Sequence, residues 1–195
     1  MKFIEKIKAL KEKYAEDCSV MNNAFLYGLK EVTPPLAEHI VFSPMPQKVM
    51  DDMIYNYLRT FPKELLELFR YMNGAALFWT TCVIGKSGNR IPISCLDIFG
   101  VPLTNDRIHI EPYNISIEDL RRPKETPDSW LKFGAFYRRD NLFDTIWLFV
   151  DVDSSKVFAV EDNDEVFTVT DHWSSIDDCL CSIFDLLDKN KTNNP

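Results

Sequence analysis

The sequence contains few of the residues on which common active sites depend. It has six glycines and three histidines in 195 residues. Phosphate-binding loops need several spaced glycines, because their backbone amides must wrap the phosphate. Residues 85–87 match the Gly-Lys-Ser end of such a loop, but Thr80 stands where the loop needs its first glycine. We therefore interpret residues 85–88 as a hairpin turn and expect no cofactor.

Basic residues are scarce in the last part of the chain. Residues 140–195 contain 3 Lys and Arg against 13 Asp and Glu, whereas residues 1–139 contain 19 against 17. An acidic surface repels the phosphate backbone of nucleic acids and attracts basic proteins. We therefore expect a basic protein partner and no binding of nucleic acid.

Long apolar runs and a disulfide framework are also missing. No apolar run approaches the ~20 residues of a membrane span, and the charged start MKFIEKIKALKEKY lacks the apolar centre of a signal peptide. Five cysteines without a framework spacing indicate free thiols in a reducing compartment. We expect a cytoplasmic protein with no membrane span.

The patterns typical of metal sites and catalytic sites are incomplete. Asp151 and Asp153 resemble the start of a calcium loop, but Lys156 occupies the position that requires glycine. Cys179 and Cys181 are two residues apart on a predicted helix, so their side chains diverge and do not suit zinc. The histidines offer no recognisable catalytic arrangement. We predict no metal site, no catalytic residues and no enzymatic activity.

Hydrophobic periodicity predicts four helices. Apolar side chains recur at helical spacing in residues 2–17, 47–60 and 62–72, and again after Ser174 or Ser175, which we expect to cap the last helix. Pro62 suits the first turn of the third helix. Asn73 and Gly74 tolerate the left-handed conformation that closes a helix, so we predict that this pair ends it.

The segment between the first two helices contains four prolines, Pro34, Pro35, Pro44 and Pro46. Because proline interrupts regular structure, we predict an irregular connector over residues 22–46. Residues 1–46 then form an N-terminal helical extension.

From residue 75 onwards the pattern changes to strands. Apolar, β-branched runs predict strands within residues 75–85, 90–100 and 129–140, and three strands within 145–173 joined by turns at 153–156 and 161–164. A short helix is predicted at 117–122. Four tryptophans lie within or beside these strands, where we expect core or core-edge positions; they are Trp79, Trp130, Trp147 and Trp173.

The order of these motifs resembles the SUKH superfamily, which includes regulators of fungal cell-wall assembly, the Syd-like proteins and bacterial immunity proteins. The resemblance covers about residues 47–188, while residues 96–130 are long for the family. It rests on Phe61-Pro62, the helix to Met72, Asn73-Gly74, Phe133-Gly134, residues 145–160, Trp173 and the terminal helix. We take Pro62, Asn73, Gly74, Gly134 and Trp147 as its fold signature.

The resemblance implies an α+β fold, with a single domain whose mainly antiparallel sheet is flanked by helices. The predicted domain spans residues 47–188, after the N-terminal extension 1–46 and before a frayed tail at 189–195. The resemblance also implies a non-enzymatic protein-binding function, such as that of an immunity protein that neutralises a basic, nuclease-type toxin.

Charge and turn position provide candidate partner-binding residues in the acidic last part of the chain. They are Asp144, Asp162, Asp164, Glu165, Asp171 and Trp173. Two alternatives stay open. One is a regulator or scaffold of cell-wall assembly that makes its contacts through the N-terminal helix. The other is a hydrolase with a carboxylate or histidine site between a helix and the sheet. The sequence leaves the oligomeric state undetermined.

Overall fold

The computed structural model describes residues 1–30, 36–56, 61–84, 89–103, 112, 115, 126–138, 141–163 and 166–192. The helices within these residues are α1 (Lys2–Lys13), α2 (Gln47–Asn56), α3 (Lys63–Tyr71) and α4 (Ile176–Thr192). The strands are β1 (Cys18–Met21), β2 (Ala24–Lys30), β3 (Leu36–Phe42), β4 (Ala75–Leu77), β5 (Thr80–Ile84), β6 (Asn89–Ile93), β7 (Leu96–Ile98), β8 (Trp130–Arg138), β9 (Asn141–Asp151), β10 (Val157–Asn163) and β11 (Val166–Trp173).

Nine of these strands form one antiparallel sheet. Its order is β1-β2-β3-β4-β7-β8-β9-β10-β11, while β5 and β6 pair separately as a hairpin. The predicted α+β class with a mainly antiparallel sheet and flanking helices is therefore confirmed. Within the described residues, β1 and β11 are the two edges of the large sheet.

The main core contains apolar side chains of all four described helices, with Met50 from α2, and of the sheet. Phe3 and Ile7 of α1, Leu65 of α3, and Leu180 of α4 are buried in the same cluster as Leu148 of β9. The helical spacing of these residues gives each helix an apolar stripe, which is stable only when it is removed from water. Because α1 shares this cluster with α4, the N-terminal helix packs on the domain.

The predicted irregular connector over residues 22–46 is wrong, because β2 and β3 both lie in it. β3 pairs with β4 through Ile40 opposite Ala76, so the sheet continues across residue 46. Pro44 and Pro46 follow β3 and precede α2, where a missing amide hydrogen breaks no sheet ladder. Pro34 and Pro35 fall outside the described residues.

The Asn73-Gly74 pair connects α3 to the sheet, but it does not form the predicted left-handed helix cap. The helix ends at Tyr71, and Met72 is already extended, with φ of −155°. Gly74 has φ of +91°, and a Cβ there would lie 2.6 Å from the carbonyl oxygen of Ile98. Only glycine fits this close approach of two backbone segments without strain.

The buried side chain of Asn73 holds the segment after β7. Its amide nitrogen donates to the carbonyl of Val101 at 2.7 Å, and its oxygen accepts from the Val101 amide at 2.8 Å. These two hydrogen bonds satisfy both polar groups of a side chain that has no access to water. The sequence indicated this position but not its partner.

The remaining signature residues, Pro62, Gly134 and Trp147, also make contacts within the fold. Pro62 directly precedes α3, and its carbonyl accepts from the amide of Leu66. A Cβ on Gly134 would lie 2.6 Å from the carbonyl oxygen of Asp97 on the adjacent strand. Trp147 is half-buried on β9, and the amine of Lys132 lies 4.2 Å from the centre of its ring.

The end of the chain follows the prediction in part. Ser175 caps α4, because its hydroxyl oxygen accepts from the amide of Asp178 at 3.0 Å. The helix continues to Thr192, so the first residues of the predicted frayed tail are helical. The predicted short helix at 117–122 lies outside the described residues. In the part of the chain that the structure describes, no helix is long and apolar enough to span a membrane.

Candidate functional site

The structure describes four of the six predicted partner-binding residues, Asp144, Asp162, Asp171 and Trp173. Asp162 is opposite Phe167, near the end of β10, and Asp171 is opposite Ala159. Three residues of β10 separate these two positions, which corresponds to about 10 Å. Asp144 lies on β9 beyond its last pair with β10, toward the same end of the strand pair as Asp162. Asp164 and Glu165 lie outside the described residues.

Trp173 is at the opposite end of the strand pair. It is opposite Val157, five residues along β10 from Asp162, or about 17 Å away. Trp173 is half-buried and packs on the main core, as we expected for a tryptophan at the core edge. The structure therefore separates Asp162, near the end of β10, from a group around Asp171 and Trp173.

The group around Asp171 includes the turn between β9 and β10. Asp171 is exposed, and its carboxylate accepts from the amide of His172 at 2.8 Å. Partial burial would raise the pKa of Asp151, but hydrogen bonds from Ser154 and from the Asp153 amide lower it below its ordinary value. These hydrogen bonds therefore favour the ionised form of the Asp151 carboxylate.

The strand β11 is a sheet edge within the described residues, where it pairs only with β10. Its Thr168 and Val169 are exposed, and Val169 keeps 45% of its surface accessible. An edge strand presents backbone N–H and C=O groups that a further chain can pair with. Acidic side chains along such an edge favour a basic chain over an acidic one.

The acidic residues of α4 make internal contacts that the sequence did not predict. The Asp177 carboxylate accepts from the backbone amides of Lys2 at 2.9 Å and Phe3 at 2.8 Å. The amine of Lys6 lies 2.6 Å from the Asp185 carboxylate, and this hydrogen bond raises the pKa of Lys6. Two of the four carboxylates of α4 are therefore bound to α1.

A second candidate site is a buried cluster of Tyr14, Glu38 and His39. The Tyr14 hydroxyl donates to Oε1 of Glu38 at 2.9 Å, and Nε2 of His39 lies 2.9 Å from the same oxygen. Glu38 is 7% exposed and His39 is 2% exposed. The sequence does not predict this cluster, because the prolines of residues 22–46 indicate an irregular connector there.

A bend at Gly28 makes room for the cluster. Consecutive residues of a regular strand point to opposite faces, yet the side chains of Glu38 and His39 meet. Gly28, on the neighbouring strand, has φ of +66°. A Cβ there would lie 2.9 Å from Cβ of Glu38 and 3.1 Å from the Tyr14 ring. A glycine inside a strand pattern is the sequence signal of such a close approach.

The hydrogen bonds of His39 define its tautomer. The amide of Phe78 donates to Nδ1 at 3.2 Å, so that nitrogen carries no proton, and Nε2 donates to Glu38. Both ring nitrogens are therefore engaged inside the protein. A cavity lies next to this ring, between α1 and α4, and among the described residues no Ser, Thr or Cys side chain lines it.

Asp97 is a further buried acid, located on β7. It is 2% exposed and accepts a hydrogen bond from the Ser94 hydroxyl at 2.5 Å. Burial raises the pKa of Asp97 and the hydrogen bond from Ser94 lowers it. Burial has the larger effect, so the pKa is raised to about 6. Its neighbours Leu96 and Ile98 belong to the main core, so Asp97 lies toward the other face of the sheet. No described group of His, Cys, Asp and Glu side chains has the arrangement of a metal site.

Comparison of the chain with protein-family models, with curated proteins and with solved structures found no match.

Proposed function

We propose that the chain is a protein-binding domain of the SUKH type, which neutralises a basic protein as an immunity protein does. The observation that carries this proposal is the acidic sheet edge formed by β9, β10 and β11. Lys156 is the only Lys or Arg between residues 140 and 188. Asp177 and Asp185 of α4 contact α1, which reduces the negative charge that this helix offers to a partner.

The charge and the exposed backbone of this edge support a protein partner. Exposed carboxylates attract a basic surface over roughly a Debye length, about 8 Å at physiological salt, and so raise the rate of encounter. Once in contact, a partner meets the exposed Val169 and the backbone of an edge strand. A nuclease-type toxin has such a basic surface, because it must hold phosphate groups.

The cavity chemistry supports a non-enzymatic function over the hydrolase alternative. A general base needs a free lone pair within reach of the substrate proton. Nδ1 of His39 accepts from the Phe78 amide and Nε2 donates to Glu38. The four described cysteines are free, which fits the cytoplasmic location that we propose.

The test begins with a pull-down from source-cell lysate at low salt, with the full chain as bait. The affinity of the recovered partner is then measured for two charge reversals. One combines Asp162→Lys, Asp164→Lys and Glu165→Lys, and the other combines Asp153→Lys and Asp171→Lys. We expect at least one reversal to weaken binding about 10- to 100-fold and to flatten its salt dependence.

The matched control is the reversal Asp51→Lys with Asp52→Lys on α2, where both residues are exposed and distant in sequence from the edge. It changes the net charge as much as the Asp153 and Asp171 pair does. If both edge variants bind as tightly as this control, the acidic edge is not the interface. Recovery of an acidic partner, or of nucleic acid alone, would contradict the proposal as a whole.

A further inference from the structure

The cavity between α1 and α4 has an aromatic interior. Its volume is about 200 Å³. The ring of Phe78 lies edge-to-face with Phe184, with centroids 5.0 Å apart, and with His39, with centroids 4.9 Å apart. Leu10 of α1 adds an aliphatic side. This volume suits one aromatic ring, since an apolar cavity of ~150 Å³ already holds benzene.

The polar atoms beneath the cavity are committed to one another. The Tyr14 hydroxyl donates to Glu38, and both nitrogens of His39 have partners inside the protein. A polar group on a bound ring would lose its water contacts and gain little in return. The interior therefore favours a plain hydrocarbon ring over a hydroxylated one.

The mouth of the cavity carries charges of both signs. Lys6 and Asp185 form an ion pair with each other, whereas Lys13 and Asp188 are exposed and form no ion pair among the described residues. The amine of Lys13 lies 5.2 Å from the ring centre of Tyr14, at the edge of the cavity. The mouth thus offers one cation and one carboxylate to a ligand.

We propose that this cavity binds a small zwitterion with an unsubstituted aromatic ring, of the type of phenylalanine. The ring of the ligand packs beside the Phe78–Phe184 pair, its carboxylate pairs with Lys13, and its ammonium group pairs with Asp188. This site is separate from the acidic edge formed by β9, β10 and β11, so it does not depend on the proposed partner.

Calorimetric titration of the full chain with four defined probes tests the proposal. The probes are L-phenylalanine, 3-phenylpropionate, which lacks the amine, phenethylamine, which lacks the carboxylate, and L-tyrosine, which adds a ring hydroxyl. We expect L-phenylalanine to bind at least 10-fold more tightly than each of the others. Absence of saturable binding of L-phenylalanine up to about 10 mM, which is weaker than the usual range of specific ligands, overturns the proposal.

Variants then locate the site. Ala9 is exposed on α1 and lines the cavity, so Ala9→Phe fills the mouth without disturbing the core and should reduce the affinity for L-phenylalanine at least 10-fold. Ala15→Phe adds the same bulk at an exposed position past the end of α1 and should leave the affinity unchanged. Equal affinities of the two variants would place the ligand elsewhere.

Charge variants test how the carboxylate and ammonium groups of the ligand are bound. Lys13→Ala should weaken L-phenylalanine and 3-phenylpropionate but not phenethylamine, and Asp188→Asn should weaken L-phenylalanine and phenethylamine but not 3-phenylpropionate. Lys48→Ala, at an exposed position on α2, is the control. Binding that responds to neither Lys13→Ala nor Asp188→Asn contradicts the zwitterion assignment. All three positions are exposed, so folding is preserved.

Discussion

At the scale of single residues, Asp97 makes the stability of the protein depend on pH. Burial raises its folded-state pKa to about 6 from an ordinary value of 3.8. The native state therefore holds this proton more tightly than the unfolded chain does. The protonated form of Asp97 favours the folded state. This contribution to stability is fully present below pH 3.8 and is lost as the pH rises through 6.

We expect Asp97→Asn to remove this penalty, because asparagine keeps an oxygen that can accept from Ser94. At pH 8 the variant should gain about 2–3 kcal/mol of unfolding free energy relative to the original chain, and the gain should shrink as the pH approaches 4. Urea denaturation over this pH range measures it. Asp52→Asn, an exposed acid on α2, is the control, and a gain independent of pH would argue against the raised pKa.

At the scale of elements, the helices cap one another across the chain. Asp177, at the start of α4, accepts from the first amides of α1, and Glu64 of α3 accepts from the Ile176 amide at 2.8 Å. The first amides of a helix have no partners within the helix, so these carboxylates satisfy them. The caps fix the ends of α1 and α4 next to each other.

Asp177→Ala should lower the unfolding free energy by about 1–2 kcal/mol, because it leaves two amides of α1 without an acceptor. Hydrogen exchange should show a selective loss of protection in the first turn of α1. Asp178→Ala is the matched control on the same helix turn, since the Asp178 carboxylate accepts hydrogen bonds from the local Ser174 and Ser175 side chains and from no described amide of α1. Equal exchange in the two variants would mean that the cap does not anchor α1.

At the scale of the whole molecule, residues 1–46 are part of the sheet and of the core. They contain β1, β2 and β3, and α1 covers apolar side chains of α4. Removing them exposes β4, a strand of three residues, as a new edge and uncovers a large apolar surface. A truncation at this point therefore cannot separate a scaffold function of the N-terminal helix from the integrity of the fold.

We expect residues 47–195 alone to lack a cooperative thermal transition and to bind hydrophobic dyes. Addition of a peptide of residues 1–46 should restore part of the transition, because its strand β3 pairs with β4 and its helix α1 packs on α4. Circular dichroism during heating measures both effects. A cooperative transition of the fragment without the peptide would show that residues 47–195 form an independent domain.

The sequence by itself determined the helices and strands whose patterns are local. The apolar stripe of Leu65 and Phe69, the turn at 153–156 and the serine cap of α4 depend on neighbours within a few residues, so periodicity and turn chemistry predict them. The prediction of an irregular connector at residues 22–46 was wrong because it depended on proline content. Prolines at strand ends and prolines in irregular loops produce the same composition.

Only the tertiary structure decided which distant residues meet. Asp177 caps an amide 175 positions away, and Tyr14 meets Glu38 through space that Gly28 leaves open. The cavity between α1 and α4 exists because these two ends of the chain pack together. Such contacts depend on strand order and helix docking, which follow from the burial of the whole apolar surface, and no local pattern encodes them.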